Sequence, residues 1–218
     1  MAYENLKRLP DPTTAPAGPG YLSVSLTDNT TGLVHALNNG GSVSVQYAGN
    51  YWTINIGYYS LNLTEAATII PFMNSVSGGF VNFYVQLPMY VNPKTGAWDQ
   101  STAAKRREGA ISIVSNSEQK KVLISGWNLA GGNISAGDMI KFTNSNKIYQ
   151  VISTSLVSTD MTLELHCPII EPSKISTCGI EPNDIKFRVR HTGNPVSQTF
   201  TNSGLLEPIT FNLVENIL

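Results

Sequence analysis

The nitrogen and sulfur ligands of this chain are His35, His166, His191, Cys167 and Cys178. A structural zinc site closes with four such donors. Only His166 and Cys167 adjoin, and neighbours on a strand point to opposite faces. With Cys178 the set stops at three, so no metal centre is expected. Asp138 and Glu164 are the carboxylates to weigh as a hydrolytic pair, but Asp138 follows Gly137 and reads as a turn residue. No Gly-x-Ser-x-Gly, phosphate-loop or dinucleotide glycine pattern occurs, and the glycines fall at turns. No catalytic, cofactor-binding or metal residue is assigned, and neither enzyme activity nor a cofactor is expected. Sugar sites in β proteins use exposed aromatics beside amides and carboxylates. Tyr58-Tyr59, Trp98 and Trp127 are available for that, with Trp127 beside Gly126 the best placed. The simpler reading of a tryptophan at a glycine turn is a hydrophobic plug. Lys105-Arg106-Arg107 stands next to Glu108 and reads as a solvated loop, short of the many phosphate contacts that nucleic-acid binding needs.

Function must therefore come through architecture, and composition bounds it. The 218 residues are 41% hydrophobic, enough for a substantial core. Charged residues make up 13%, about half of the usual share of roughly 25%. A weakly charged chain rich in Asn, Ser, Thr and Gly fits a surface covered by neighbouring subunits, and also an ordinary all-β domain. A formal net charge of -1 gives no signature of nucleic-acid binding. No apolar run approaches the ~20 residues that span a bilayer, and residues 1–20 lack the apolar core of a signal peptide. No membrane contact is expected, and synthesis and assembly in a cytoplasm are. A reducing cytoplasm favours Cys167 and Cys178 as free thiols over a bridge closing residues 168–177. The glycosylation-type triplets at Asn29, Asn62 and Asn133 read as chance.

The elements are legible from periodicity. Residues 1–20 carry Pro10, Pro12, Pro16 and Pro19 and read as an extended arm, either a free tail or a strap on a neighbouring subunit. Leu22, Val24 and Leu26 begin a first strand. Val43, Val45 and Tyr47, then Trp52, Ile54 and Ile56, alternate on either side of Ala48-Gly49-Asn50 and predict a hairpin. Ile69, Phe72 and Val76, widened by Ala66, Ile70 and Met73, form one stripe of a short helix with Thr64 as N-cap and Glu65 in its first turn. Pro71 inside it predicts a kink or two short pieces. Phe80 to Val85 reads as a strand buried on both faces. Asn92-Pro93-Lys94-Thr95-Gly96 marks a boundary. Beyond it Ile111-Ile113, Val122-Ile124, Met139-Phe142, Ile148-Ile152 and Met161-Leu165 are short strands separated by turns, as in a small barrel or meander. Ile185–Arg190 and Ile209–Leu213 add two more, which most simply return to the first sheet. The fold expected is mainly all-β with one short helix, plus an inserted small β-barrel-like unit. The domains are an arm at 1–20, a β domain at 21–97 plus 184–218, and an insertion at 98–183.

Gly49-x-x-Trp52, the helix start Glu65-Ala66, Phe72, the pair Gly78-Gly79 and a strand closing on Leu87-Pro88 together resemble the distal-tail and related tube-like proteins of tailed bacteriophages. Gly126-Trp127, Ala136-Gly137-Asp138-x-Ile140-x-Phe142, Lys147-x-Tyr149-Gln150-Val151 and Cys167-Pro168-Ile169 are similar to an insertion that some of those proteins carry. The resemblance covers Gly49 to the C-terminus, while the Pro-rich arm and Pro71 depart from it. It implies a split β-barrel or sandwich with one short flanking helix, in a virion structural protein that forms a homo-oligomeric ring, commonly hexameric, around a channel. Its implied partners are the tail tube and the baseplate or tip proteins, with possible fibre attachment. The alternative is a peripheral receptor- or carbohydrate-binding tail module.

Overall fold

The strands form where apolar and polar residues alternate, and the fold is mainly β. The computed structural model describes residues 6–217 except 31, 37–40, 47–48, 77–78, 95–110, 115–118, 128–133, 176–177 and 193–196. Trp98 and Lys105-Arg106-Arg107 lie outside the described residues. The chain divides into two compact units. One comprises Ala2–Asp28, Tyr51–Leu87 and Lys186–Leu218, and the other Asn29–Asn50 and Pro88–Ile185.

The first unit is built on a five-stranded sheet in the order β1 (Ser23–Asn29), β4 (Tyr51–Gly57), β13 (Thr210–Glu215), β12 (Phe187–His191), β5 (Asn82–Val85). Strand β4 buries Trp52, Ile54 and Ile56. It runs antiparallel to β13 with Ile54 opposite Leu213 and Ile56 opposite Phe211. The Glu215 carboxylate accepts the Trp52 backbone N–H at 3.1 Å. The hairpin predicted between the Val43 and Trp52 segments does not form. Instead β3 (Ser42–Gln46) pairs with β2 (Gly32–Ala36) in a two-stranded sheet, His35 opposite Val43. Two strands of equal period compete for one partner, and the phase-matched Ile209-Phe211-Leu213 row from the far end of the chain takes β4. The chain passes between the two units after the buried Asn50 rather than folding back there.

Helix α1 spans Leu63–Val76 and buries Ala66, Ile69, Phe72, Met73 and Val76. Phe72 meets Phe83 of β5 edge to face at 5.1 Å, a geometry worth about 1 kcal/mol beyond area burial. The N-cap is Asn62, not Thr64. Its Oδ1 accepts the Glu65 N–H at 3.0 Å, and the Glu65 carboxylate accepts the Asn62 N–H at 3.1 Å. This reciprocal pair satisfies two helix-end donors. The helix runs uninterrupted through Pro71, which stands on its exposed side.

The arm supplies what β5 lacks. Leu9 N–H donates to Tyr84 C=O and Tyr84 N–H to Lys7 C=O, both at 2.8 Å, a parallel bridge on the side of β5 away from β12. Leu9 is fully buried. The loop that follows closes on Asp11, whose carboxylate accepts the Thr13 N–H (2.8 Å), the Thr13 hydroxyl (2.6 Å) and Arg8 Nη2 (2.6 Å). Gly18 lies against this loop so tightly that a β-carbon would stand 2.5 Å from the Pro10 carbonyl carbon. The Tyr58 hydroxyl donates to Pro10 C=O at 3.3 Å.

The other unit holds a six-stranded sheet ordered β11 (Ile180–Glu181), β8 (Met139–Phe142), β9 (Ile148–Val157), β10 (Asp160–Leu165), β7 (Lys121–Ile124), β6 (Ile111–Ile113), with a helical turn α2 at Pro172–Ile175. Trp127, Phe142, Tyr149, Val151 and Leu163 are central to its core. Phe142 and Tyr149 pack edge to face at 5.4 Å.

Asp11→Ala should loosen the arm by about 2 kcal/mol, the net worth of its charged hydrogen bonds, or about thirtyfold in local opening. Amide exchange at Leu9 and Tyr84 should accelerate accordingly while Ile69 in α1 stays slow. Unchanged exchange at Leu9 would rule out Asp11 as the clasp.

Candidate functional site

The residues with chemical potential are spent on structure. Asp138 is buried, its Oδ1 accepting the Lys94 N–H (3.0 Å) and its Oδ2 the Ser135 N–H (2.7 Å). Lys94 Nζ reaches back to Ala136 C=O at 2.9 Å. Gly137, at φ +89°, leaves room for that ammonium, which would lie 2.5 Å from a β-carbon. The pair Lys94 and Asp138 therefore clasps one loop to the start of β8. Glu164 accepts instead from the Ser153 hydroxyl (2.9 Å) on the exposed side of the β9–β10 hairpin. The two carboxylates serve separate sets of donors.

His166 follows β10, and its Nδ1 accepts the Gln150 N–H at 3.0 Å. Burial, with Lys147 adding repulsion, lowers its pKa to about 4. Cys167 and Cys178 are both buried free thiols. The Cys178 thiol donates to Ile175 C=O at 3.0 Å, and burial pushes its pKa up to about 11, so it stays protonated at neutral pH. His35 lies exposed on β2, and His191 packs edge-on to Phe211 in the other unit. Among the described residues no three of His, Cys, Asp and Glu come together as a ligand set. Trp127 is 2% exposed and Tyr58 is fully buried. Both are core plugs rather than sugar platforms, while Tyr59 remains exposed.

What the surface offers is apolar and backbone area. Strand β1 is the end of the five-stranded sheet opposite the arm, and it is solvent-exposed along most of its length. Leu22 and Val24 stand out on one face. Helix α1 is apolar on its outer side as well: Leu63 is 75% exposed, Ala67 and Pro71 are exposed and Ile70 is half-buried. Beside it, Leu206 pairs with Leu61, and Gln198 Nε2 donates to Asn74 Oδ1 at 3.2 Å. That segment exposes Phe200 and Leu205. Leu63, Ala67 and Pro71 thus form a second apolar strip, flanked by the polar Thr64, Thr68 and Asn74. The signal was readable as Leu63, Ala67 and Pro71 at four-residue spacing, outside the stripe assigned to the core, with Ile70, counted in that stripe, at its margin. Among the described residues no helix is long and apolar enough to cross a membrane.

Asp138→Ala strands two backbone donors and should cost about 3 kcal/mol, a clear drop in Tm, whereas Glu164→Gln on the exposed hairpin should move Tm little. Equal effects would refute the clasp. The unfolded His166 takes up a proton near pH 6.5 and the folded one near 4, so between these values protons favour the unfolded chain. Stability should be full above pH 6.5 and fall as pH drops to 4, by up to roughly 3 kcal/mol from this residue. His166→Asn, whose Oδ1 can take the Gln150 N–H, should flatten that dependence in urea titrations. An unaltered pH profile would sink the assignment.

Comparison with known proteins bears on what this surface serves. Residues 9–90 match the family model described as distal tail protein pb9, A domain, N-terminal. The chain is also 26% identical to distal tail protein pb9 of Escherichia phage T5 over 218 residues, covering 96% of this chain and 100% of that one. Both matches are to phage distal tail proteins, and together they support a structural component of a phage tail.

Proposed function

We propose that copies of this chain close into a ring that joins the tail tube to the tail tip or baseplate, acting by assembly rather than catalysis. The observation that carries this reading is the asymmetry of the five-stranded sheet. One edge, β5, is blunted by its own arm, while the other, β1, is solvent-exposed and among the described residues has no strand beyond it. Unpaired edges are aggregation hazards unless covered. A closing rotation brings unlike surfaces together, so each copy offers an edge on one side and a different face on the other. The apolar outer side of α1, with Phe200 and Leu205, is such a face. The ring encloses the channel that DNA crosses, and six is the copy number that the family resemblance implies. The tail tube and the tip or baseplate proteins are its neighbours, and fibres can attach at its periphery. The protein resides in the virion after assembly in the host cytoplasm. Burial of Trp127 weakens the carbohydrate-binding alternative.

Light scattering with negative-stain imaging tests the ring. The wild-type protein should run at a ring-sized mass. Leu22→Lys with Val24→Lys, which places charge along the open edge, should shift it at least tenfold toward monomer without changing its circular dichroism. A ring that survives both substitutions would overturn the role of β1.

A further inference from the structure

Strand β9 overhangs its own core. Its first residues are covered by β8, from Lys141 opposite Ile148 to Met139 opposite Gln150. Val151 closes that row, donating to Asp138 C=O and accepting from Gly137 N–H. From Ile152 to Val157 the strand keeps β10 on one side, and among the described residues no strand lies on the other. All six residues are exposed. The register shift between Glu164 and Leu165 leaves Ile152 without an opposite residue and marks where the overhang begins.

The two faces of this overhang differ. Thr154 and Leu156 stand opposite Leu163 and Met161, which are buried, yet Leu156 is 54% exposed. The core row thus continues past the edge of the core. On the other face Ser153, Ser155 and Val157 stand opposite Glu164, Thr162 and Asp160. Asp160 and Glu164 are the two charged residues of the whole hairpin, 152–165, and both lie on this face. The open segment Ile152-Ser153-Thr154-Ser155-Leu156-Val157 carries no lysine, proline or other charge of the kind that protects edges.

We infer that the outer half of β9 receives an extended strand from another protein of the tail, laid in line with β8 as an added strand of this sheet. Backbone N–H and C=O groups supply the attachment, and alternate side chains supply the selectivity. On one face the incoming residues are apolar and complete the row over Leu156 and Thr154. On the other they are hydroxyl-bearing, beside Ser153 and Ser155, or basic and long enough to cross β9 toward Asp160 and Glu164, about 10 Å away. The outer half of β9 from a second copy would bring no basic residue toward Asp160 and Glu164, since residues 152–157 are uncharged. The inference rests on membership of a tail and is independent of ring closure through β1.

Hydrogen exchange of the full-length protein, free and within purified tails, tests it. Amides of residues 152–157 on the open side should exchange at least a hundredfold more slowly in tails than in the free protein. Replacing Leu156 with the photocrosslinker p-benzoylphenylalanine should, in assembled tails, join it to an alternating segment of a different tail protein. Leu156→Glu should leave the free protein's mass and Tm unchanged and remove that protection. Equal exchange in free and assembled protein, or a crosslink only to β9 of a second copy, would overturn the inference. A wild-type protein that is monomeric alone yet protected at 152–157 in tails would leave it standing while the ring reading fails.

Discussion

A sheet ends in two rows of backbone donors and acceptors, and most of this molecule can be read as the treatment of those rows. Each unpaired N–H or C=O removed from water costs roughly the net worth of a hydrogen bond or more, so an edge must be paired, blunted or left wet. The arm resolves one edge with two backbone bonds to Tyr84 and a buried Leu9. Strand β1 and the outer half of β9, one in each unit, are exposed, and among the described residues no strand lies on their outer sides. A structural protein of a tail has reason to keep such edges. In the ring and added-strand readings proposed above, they hold pairing capacity until neighbours arrive.

The sparse charge follows the same logic. Carboxylates that in another protein would be catalytic candidates here hold backbone donors. Asp11 folds the arm's loop, Asp138 joins the Lys94 loop to β8, Glu215 takes the Trp52 N–H, and Glu65 completes the helix cap. Asp11, Asp138 and Glu215 are buried, which removes those charges from the surface, and each of the four holds backbone donors in place. With so few charges left outside, surfaces such as the outer side of α1 can be covered without stranding ions at an interface, where desolvating an unpaired charge is costly.

The histidine and the thiols fall in with this. His166 serves as a neutral acceptor for Gln150, and Cys178 as a donor to Ile175. Polar groups in a low-dielectric interior are satisfied locally or not at all. Their depressed and raised pKa values are a consequence of that burial and not a sign of reactivity.

Much was legible because its cause is local. The alternation of Trp52-Ile54-Ile56, Phe211-Leu213 and Met161-Leu163-Leu165 follows from the pleat, and the stripe of α1 from its turn. Asn62-x-x-Glu65 was also there to be read as a cap, although Thr64 drew the assignment. Periodicity does not name a partner, however. Residues 42–46 and 51–57 looked like one hairpin, and β4 instead joined β13, more than 150 positions away. The burial of Trp127 and the overhang of β9 are decisions of the same kind. The strand read along the chain ended at Ile152; the structure carries β9 on to Val157, and the point where β8 ends leaves its inner half covered and its outer half exposed. Sequence by itself determined which segments are strands and which faces are apolar, since backbone geometry sets those residue by residue. Tertiary structure alone decided which edges are closed, because closure depends on where distant segments of the chain come to lie.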